Sequence, residues 1–351
     1  MRLSAGRAAV SALAVMVVVL AQAAPSSIAA PSLRWNLLDT GSTSHFRGLA
    51  AVSRKIAWVS GYDGVVLRTT DGGRTWKDVS VPGADSLQFR DISAFNARRA
   101  VVMASGTGTD SRLYATSDGG ATWQLAYENT DAAAFFDCMS FANPRHGLVL
   151  SDPVDGKFRI LRTTDGGAHW TVESPHGMPP AGANEYGFAA SGECLTTHGH
   201  DAWFGSGGAD GGRIFRSHDG GRTWQVTSTP IVHGDSAGIF GIAFASRHRG
   251  IAVGGDFSDP TADTDVAAVS GKHGSWNLPA QGPHGYRSGV AFVRRGSGMA
   301  LAVGLTGSDV TYDGGEHWTQ FDDGQFDTVD CTRGGACWAS GDLGRVAVLQ
   351  H

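Results

Sequence analysis

Charge is scarce in this sequence: 17% of its 351 residues are Asp, Glu, Lys or Arg, and the formal net charge is −5. Such a surface lacks the basic stripe that nucleic acid or an anionic membrane demands, so neither is expected as a partner. Long apolar runs are lacking too. The uncharged segment from Ala8 to Ala21 is too short to cross a bilayer comfortably. Arg2 and Arg7 precede it, and Ala21-Gln22-Ala23 supplies small residues for cleavage, so residues 1–23 read as an export signal that is removed. No cysteine lies near that point to carry a lipid anchor. The mature chain, residues 24–351, is therefore expected in the periplasm or outside the cell, unanchored and monomeric. Nor is there a run of helices alternating with strands around a dinucleotide loop, which leaves a nicotinamide oxidoreductase without support.

Cysteine is sparing, with four residues. Cys331 and Cys337 flank the glycine-rich turn Thr-Arg-Gly-Gly-Ala, where a strand–turn–strand brings them together, and a disulfide is expected. Cys138 and Cys194 fall at similar places in consecutive repeats, either as a pair or as two buried thiols.

Glycine is what the chain has in abundance, with 50 residues, and much of it belongs to a repeated phrase. Thr69-Thr70-Asp71-Gly72-Gly73-Arg74-Thr75-Trp76 returns around Asp118, Asp165, Asp219 and Asp313. The aspartates are 118−71 = 47, 165−118 = 47, 219−165 = 54 and 313−219 = 94 residues apart, the last being two periods. The skipped copy survives in worn form as Ser270-Gly271-Lys272-His273-Gly274-Ser275-Trp276. A fixed period in the forties means one supersecondary unit copied in a row. Each phrase makes physical sense as a hairpin turn. The Asp side chain can accept from backbone N–H groups just ahead of it, and the two glycines can take a positive φ. The following Trp packs between neighbouring sheets and needs one partner for its indole N–H.

Each repeat reads as four strands. In the first they run from Phe46 to Val52, Ile56 to Ser60, Val65 to Thr69 and Thr75 to Val81, and later units start near Phe89, Phe135, Phe188, Ile239, Arg287 and Phe326. Trp35, Trp76, Trp123, Trp170, Trp224, Trp276 and Trp318 head seven outer strands, and Trp58, Trp203 and Trp338 fall in second strands. The seventh unit stops after its third strand, Arg345 to Leu349, while Leu33 to Leu38 looks like an orphan fourth. The expected fold is all-β, a seven-bladed β-propeller of four-stranded antiparallel blades, its ring closed by the N-terminal strand.

The five strong phrases resemble the Asp-box, or BNR, repeat of sialidases and related propellers. That resemblance implies a structural role for Asp71, Asp118, Asp165, Asp219 and Asp313, on the turn between third and fourth strands. The longer phrase from Gly61 to Trp76 is similar to the photosystem II stability/assembly factor family, and the likeness covers nearly all of residues 33–351. It implies a non-enzymatic assembly chaperone with a charged patch along the ring; nothing in the sequence indicates a photosynthetic partner.

A propeller gathers these turns on one face and leaves ligand binding to the other. The inner rim of that second face is expected to include Arg47, Arg90, Asp91, Asp137, Glu185 and Arg287, which either bridge one another or hold a ligand. The loop acids Asp63, Asp110, Asp152, Asp210, Asp256, Asp309 and Asp342 suit turn chemistry first. Pro175 to Gly187 and Asp256 to Asp265 break the rhythm, and insertions in repeat proteins usually mark a binding face. His198-Gly199-His200-Asp201 and the Asp256–Asp265 loop are weak metal candidates, and Gly106 to Ser111 imitates a phosphate loop without its helix. No metal or cofactor is expected.

These residues point to a non-catalytic binding or assembly scaffold with a protein or a polymeric glycan as partner. The alternative is a sialidase-like glycoside hydrolase. The likeness to sialidases would make Arg47, Arg90 and Arg287 a carboxylate clamp, with Tyr186 as nucleophile and Glu185 as its base. Against it, Phe158-Arg159-Ile160-Leu161 lacks the proline of the sialidase Phe/Tyr-Arg-Ile-Pro signature and reads as a third strand.

Overall fold

The computed structural model describes Met1 and residues 33–294 and 296–350. Apart from Met1, the expected export signal lies outside the described residues. Seven four-stranded antiparallel sheets follow one another along the chain, as expected. Blade 1 comprises Phe46–Ala51, Ala57–Gly61, Val66–Thr69 and Lys77–Asp78. In the seventh sheet Arg34–Leu38 pairs with Val346–Gln350, Trp35 opposite Leu349, which joins the two ends of the described chain in one sheet. That pairing removes the open edge that either strand would present alone.

The local cause of each blade is its turn. Asp71 Oδ1 accepts from the Thr75 N–H at 3.0 Å and Oδ2 from the Thr75 hydroxyl at 2.7 Å. The Thr69 hydroxyl donates to Asp71 Oδ1 at 2.9 Å while accepting from the Gly73 N–H. Both glycines sit at positive φ, 84° and 81°, which a side chain would resist. Asp118, Asp165, Asp219 and Asp313 repeat the arrangement, and the donated hydrogen bonds lower these carboxyls to about 2. The first glycine also donates to the turn between strands one and two of its own blade, as Gly72 does to the Lys55 carbonyl. The two kinds of turn therefore share one face.

The second glycine abuts the preceding blade. A Cβ on Gly120 would sit 2.6 Å from Val79, one on Gly167 2.5 Å from Val101, and one on Gly221 2.9 Å from Leu148. The tryptophans then fill the seams. Trp123 meets Trp58 and Trp76 meets Trp338 edge to face, while Trp170, Trp224 and Trp318 each donate to the carbonyl of their own second glycine. The core is thus a series of inter-blade clusters rather than one central mass.

Two expectations need correction. The outer strand of blade 1 is shorter than the pattern suggests: it is Lys77–Asp78, with Val79 still donating to the Val66 carbonyl, and it ends where the Ser80 hydroxyl takes the Val66 N–H from the ladder. The inner strand of blade 4 is Leu195–His198, not a strand near Phe188. Residues 187–193 leave the strand path and turn into the middle of the ring, with Gly192 at φ 74°.

Both cysteine pairs are disulfides. Cys331–Cys337 closes the expected short loop, and Cys138–Cys194, which the sequence left open, joins the inner strand of blade 3 to the entry of blade 4. The second encloses 56 residues against 6 for the first. Loop-closure entropy then gives about 4 kcal/mol for Cys138–Cys194 and about 2 kcal/mol for Cys331–Cys337. Replacing Cys138 and Cys194 by Ala should therefore cost roughly twice as much in urea unfolding as replacing Cys331 and Cys337. Equal losses would mean that loop length does not govern these bonds. Trp35 is buried, donates to the Ser308 hydroxyl at 2.9 Å and packs on Phe321 and Phe326. Trp35→Ala should cost about 3–5 kcal/mol, read in the same denaturation experiment.

Candidate functional site

The face away from the Asp-Gly-Gly turns carries the links between blades and the mouth of the ring. A strand reversing its direction at each turn puts Tyr62, in the second turn of blade 1, at this mouth. Its ring holds two guanidiniums: Arg47 Cζ lies 5.7 Å and Arg90 Cζ 5.8 Å from the ring centroid. Arg90 is also 5.8 Å from the Phe135 ring. Both arginines start inner strands, and both are half-buried. Among the described residues neither makes an ion pair, and Arg47 Nε is buried without an acceptor. Two desolvated cations lacking an anion are costly unless something supplies it.

Arg90 donates twice to Gln88 Oε1, at 3.1 and 2.6 Å, and both arginines reach a plug. Arg47 donates to the Ala190 carbonyl at 3.4 Å and Arg90 to that of Ala189 at 3.3 Å. From there the chain crosses the ring. Ser191 donates to the Ser288 carbonyl of blade 6, and its own carbonyl accepts from Thr328 of blade 7. Glu193 accepts from the backbone N–H groups of Val290 and Val329 at 2.5 and 2.9 Å, tying blades 6 and 7 together. Asp91 does the same from blade 2 to Met139 of blade 3, and Asp330 from blade 7 to Ala51 of blade 1. Withdrawal from water lifts all three carboxyls above their ordinary range, and repulsion from neighbouring acids adds to the rise at Asp91 and Glu193. Beneath the plug a cavity of about 480 Å³, lined by Asp91, Glu193 and Asp330, reaches toward the Asp-Gly-Gly face at Asn143 and Pro144.

The far side of the mouth is aromatic. Phe188 stacks on Phe240 at 4.3 Å, with Phe257 edge-on to both and Tyr286 edge-on to Phe240. Phe257 and Tyr186 are exposed at this face. Between the two halves lies Asp137, buried, with both carboxyl oxygens unpartnered. Desolvation first, and then the nearby Asp152, raise its pKa well above the carboxylate range, against the pull of Arg90. Asp152, which accepts from the Gly187 N–H at 2.8 Å, is raised to about 6 by its own burial.

The expected rim residues thus part company. Arg47, Arg90, Asp91 and Asp137 gather around the ring. Glu185 does not join them as a free group: its carboxylate is buried and engaged by Arg213, Ser206 and the Gly182 N–H. Arg287 is fully buried, with Nε and Nη2 on Asp309 and Nη1 on the Tyr286 carbonyl and Thr306. The three arginines form no common clamp in this structure, and Glu185 has no free oxygen to serve Tyr186. Sequence reasoning missed Glu193, Asp327 and Asp330. Asp327 pairs with His45 at 2.8 Å beside Tyr62. Register could have found two of them, since Asp330 sits two places past the strand start and Asp327 one before it.

Among the described residues no group of three or more His, Cys, Asp or Glu is placed to hold a metal ion. Asp201 of the His198–Asp201 run is engaged by His218 and Arg247. Two acids of the Asp256–Asp265 loop serve its turns, Asp256 with Ser258 and Asp259 with Thr261.

No protein-family model matches the chain, and no curated protein matches its sequence. Solved structures do. A structure titled "YCF48 bound to D1 peptide" is 14% identical with a TM-score of 0.62, over 90% of this chain and 94% of that one. YCF48 from Cyanidioschyzon merolae is also 14% identical, with a TM-score of 0.63 over 90% and 98%. A GH74 enzyme of Niastella koreensis is 13% identical, with a TM-score of 0.59 over 89% of this chain and 53% of that one. At such identities the likeness shows the propeller fold.

The Asp137–Asp152 pair gives a pH dependence with a definite sign. A carboxyl raised on folding contributes most below its unfolded value near 4 and loses that contribution as pH climbs through its folded value. The Asp-Gly-Gly carboxyls, lowered to about 2, add no slope above pH 5. Wild-type protein should therefore melt lower at pH 7.5 than at pH 5. Asp137→Asn should narrow that gap. An unchanged gap in calorimetry would show that Asp137 is not neutralised by folding.

Proposed function

We propose that this protein is an exported, non-catalytic binding or assembly scaffold that takes a protein partner on the face opposite the Asp-Gly-Gly turns. The observation that carries the reading is the pair Arg47 and Arg90, half-buried on Tyr62 and making no ion pair among the described residues. An acidic segment of a partner would supply the missing anion, and the Phe188–Phe240–Phe257 wall would take its apolar side chains. Electrostatic matching of this kind gives orientation and selectivity. A closed ring suits the task because its loops are held at fixed positions. The peptide in the YCF48 structure supports a protein rather than a glycan as partner, and two disulfides support an oxidising compartment.

The glycosidase reading keeps one observation in its favour, the neighbouring buried carboxyls Asp137 and Asp152 at a ring mouth. Affinity capture from the exported fraction should recover a partner with wild type and at least tenfold less with Arg47→Ala/Arg90→Ala. The same preparations are to be assayed on a fluorogenic sialoside and a panel of glycosides. Turnover abolished by Tyr186→Phe, Glu185→Gln or Asp137→Asn would replace the scaffold with a glycosidase.

A further inference from the structure

The seam between blades 4 and 5 differs from its neighbours. In the intact turns the second glycine reaches the preceding blade, as Gly315 reaches Ile251 and Val269 with a Cβ distance of 2.9 Å. The worn turn of blade 5 is one residue shorter, 276−270 = 6 against 318−311 = 7. Gly274 at its tip has nothing within 4 Å of an added Cβ. The turn stops short of blade 4 and leaves a groove of about 700 Å³ on the Asp-Gly-Gly face. That volume falls within the range of small-molecule sites, roughly 300–1,000 Å³.

The groove has a consistent chemistry. Its floor is Phe244, stacked on Trp203 at 3.9 Å, with Trp276 edge-on at 6.0 Å. Its rim carries Arg247 and Lys272, both exposed, and Arg216 lies over the Trp203 ring with Nε buried and unpartnered. No lining residue is acidic. Asp201 beneath it holds Arg247 at 2.9 Å and lies 3.8 Å from Arg216, so one acid faces two guanidiniums, and Lys272 makes no ion pair among the described residues. In a chain of net charge −5 this is a local cationic patch. The blade 4 wall presents side chains, not a backbone edge: Arg216 pairs with Gln225 and Ile214 with Thr227, one sheet face across two strands.

We propose that this groove binds an anionic saccharide. Sugar rings lie on Phe244 and Trp276, their carboxylate or sulfate groups meet Lys272 and Arg247, and hydroxyls are met by Gln225 and Thr227. An acidic peptide fits less well, because a peptide satisfies its own backbone best at a strand edge, and the groove is walled by side chains on one sheet face. The site lies on the face opposite the arginine pair and does not rest on the scaffold reading.

Titration calorimetry of the full chain at low salt tests this with four probes: trigalacturonate, a dextran sulfate oligomer, unsulfated dextran and a deca-glutamate peptide. At least one of the two anionic saccharides should bind, at least tenfold tighter than unsulfated dextran and deca-glutamate, and their ranking tells carboxylate from sulfate. Lys272→Gln should weaken that binding about fivefold, and Lys272→Gln/Arg247→Gln at least tenfold. Lys77→Gln, an equal charge change on the outer strand of blade 1, should leave it alone. Since Lys272 is exposed, its single variant reads the site even if Arg247→Gln disturbs Asp201. The idea is overturned by no binding at millimolar probe, by wild-type affinity in Lys272→Gln, or by deca-glutamate binding as tightly as the saccharides.

Discussion

The ring depends on how seven sheets, each able to twist and slide, are held at their inner edges. In this protein that task falls to carboxylates and a crossing segment. Glu193 accepts backbone N–H groups from blades 6 and 7, Asp91 links blades 2 and 3, and Asp330 links blades 7 and 1. The Cys138–Cys194 disulfide joins blades 3 and 4, and the Glu193 carbonyl accepts from Ile242 of blade 5. One short stretch, residues 189–193, thus touches nearly every sector. Buried carboxyls are poor stabilisers in themselves because desolvation opposes them. Their value here lies in fixing which inner strand meets which, since each takes a backbone N–H on the inner strand of another blade.

That plug also decides where chemistry can sit. An open channel would let a ligand reach the carboxylates from either side. With residues 189–193 across it, the mouth becomes a shallow surface of Arg47, Arg90 and Tyr62 facing an aromatic wall, while the acids line a cavity toward the other face. Glu185 and Arg287 are not presented there, because they are engaged by Arg213 and Asp309.

The outer rim follows a different logic. The Asp-Gly-Gly turn needs an acceptor that can reach forward four residues, two glycines at positive φ and a hydroxyl at the start, and all are local in sequence. When one copy decays, as at Ser270–Trp276, the loss is local too, yet its consequence is a gap between blades. Local decay becomes a groove because the second glycine had been a packing surface as well as a turn residue.

The sequence alone determined the blades: their number, the turn chemistry, the closing strand at Arg34–Leu38 and the Cys331–Cys337 bond all follow from contacts within one repeat or from the period itself. It also marked Arg47, Arg90, Asp91 and Asp137 as misplaced charges on apolar strands. It could not assign Glu185 and Arg287 to Arg213 and Asp309, because an ion pair between residues 28 and 22 positions apart leaves no periodic trace. Nor could it show that residues 189–193 leave the strand pattern for the centre of the ring. Phe188 has the look of a strand start, and only the presence of the other blades gives Ser191, Gly192 and Glu193 somewhere better to go. Periodicity reports what repeats; the plug, the pairing of Cys138 with Cys194 and the unpaired arginines each occur once, and tertiary contacts alone decided them.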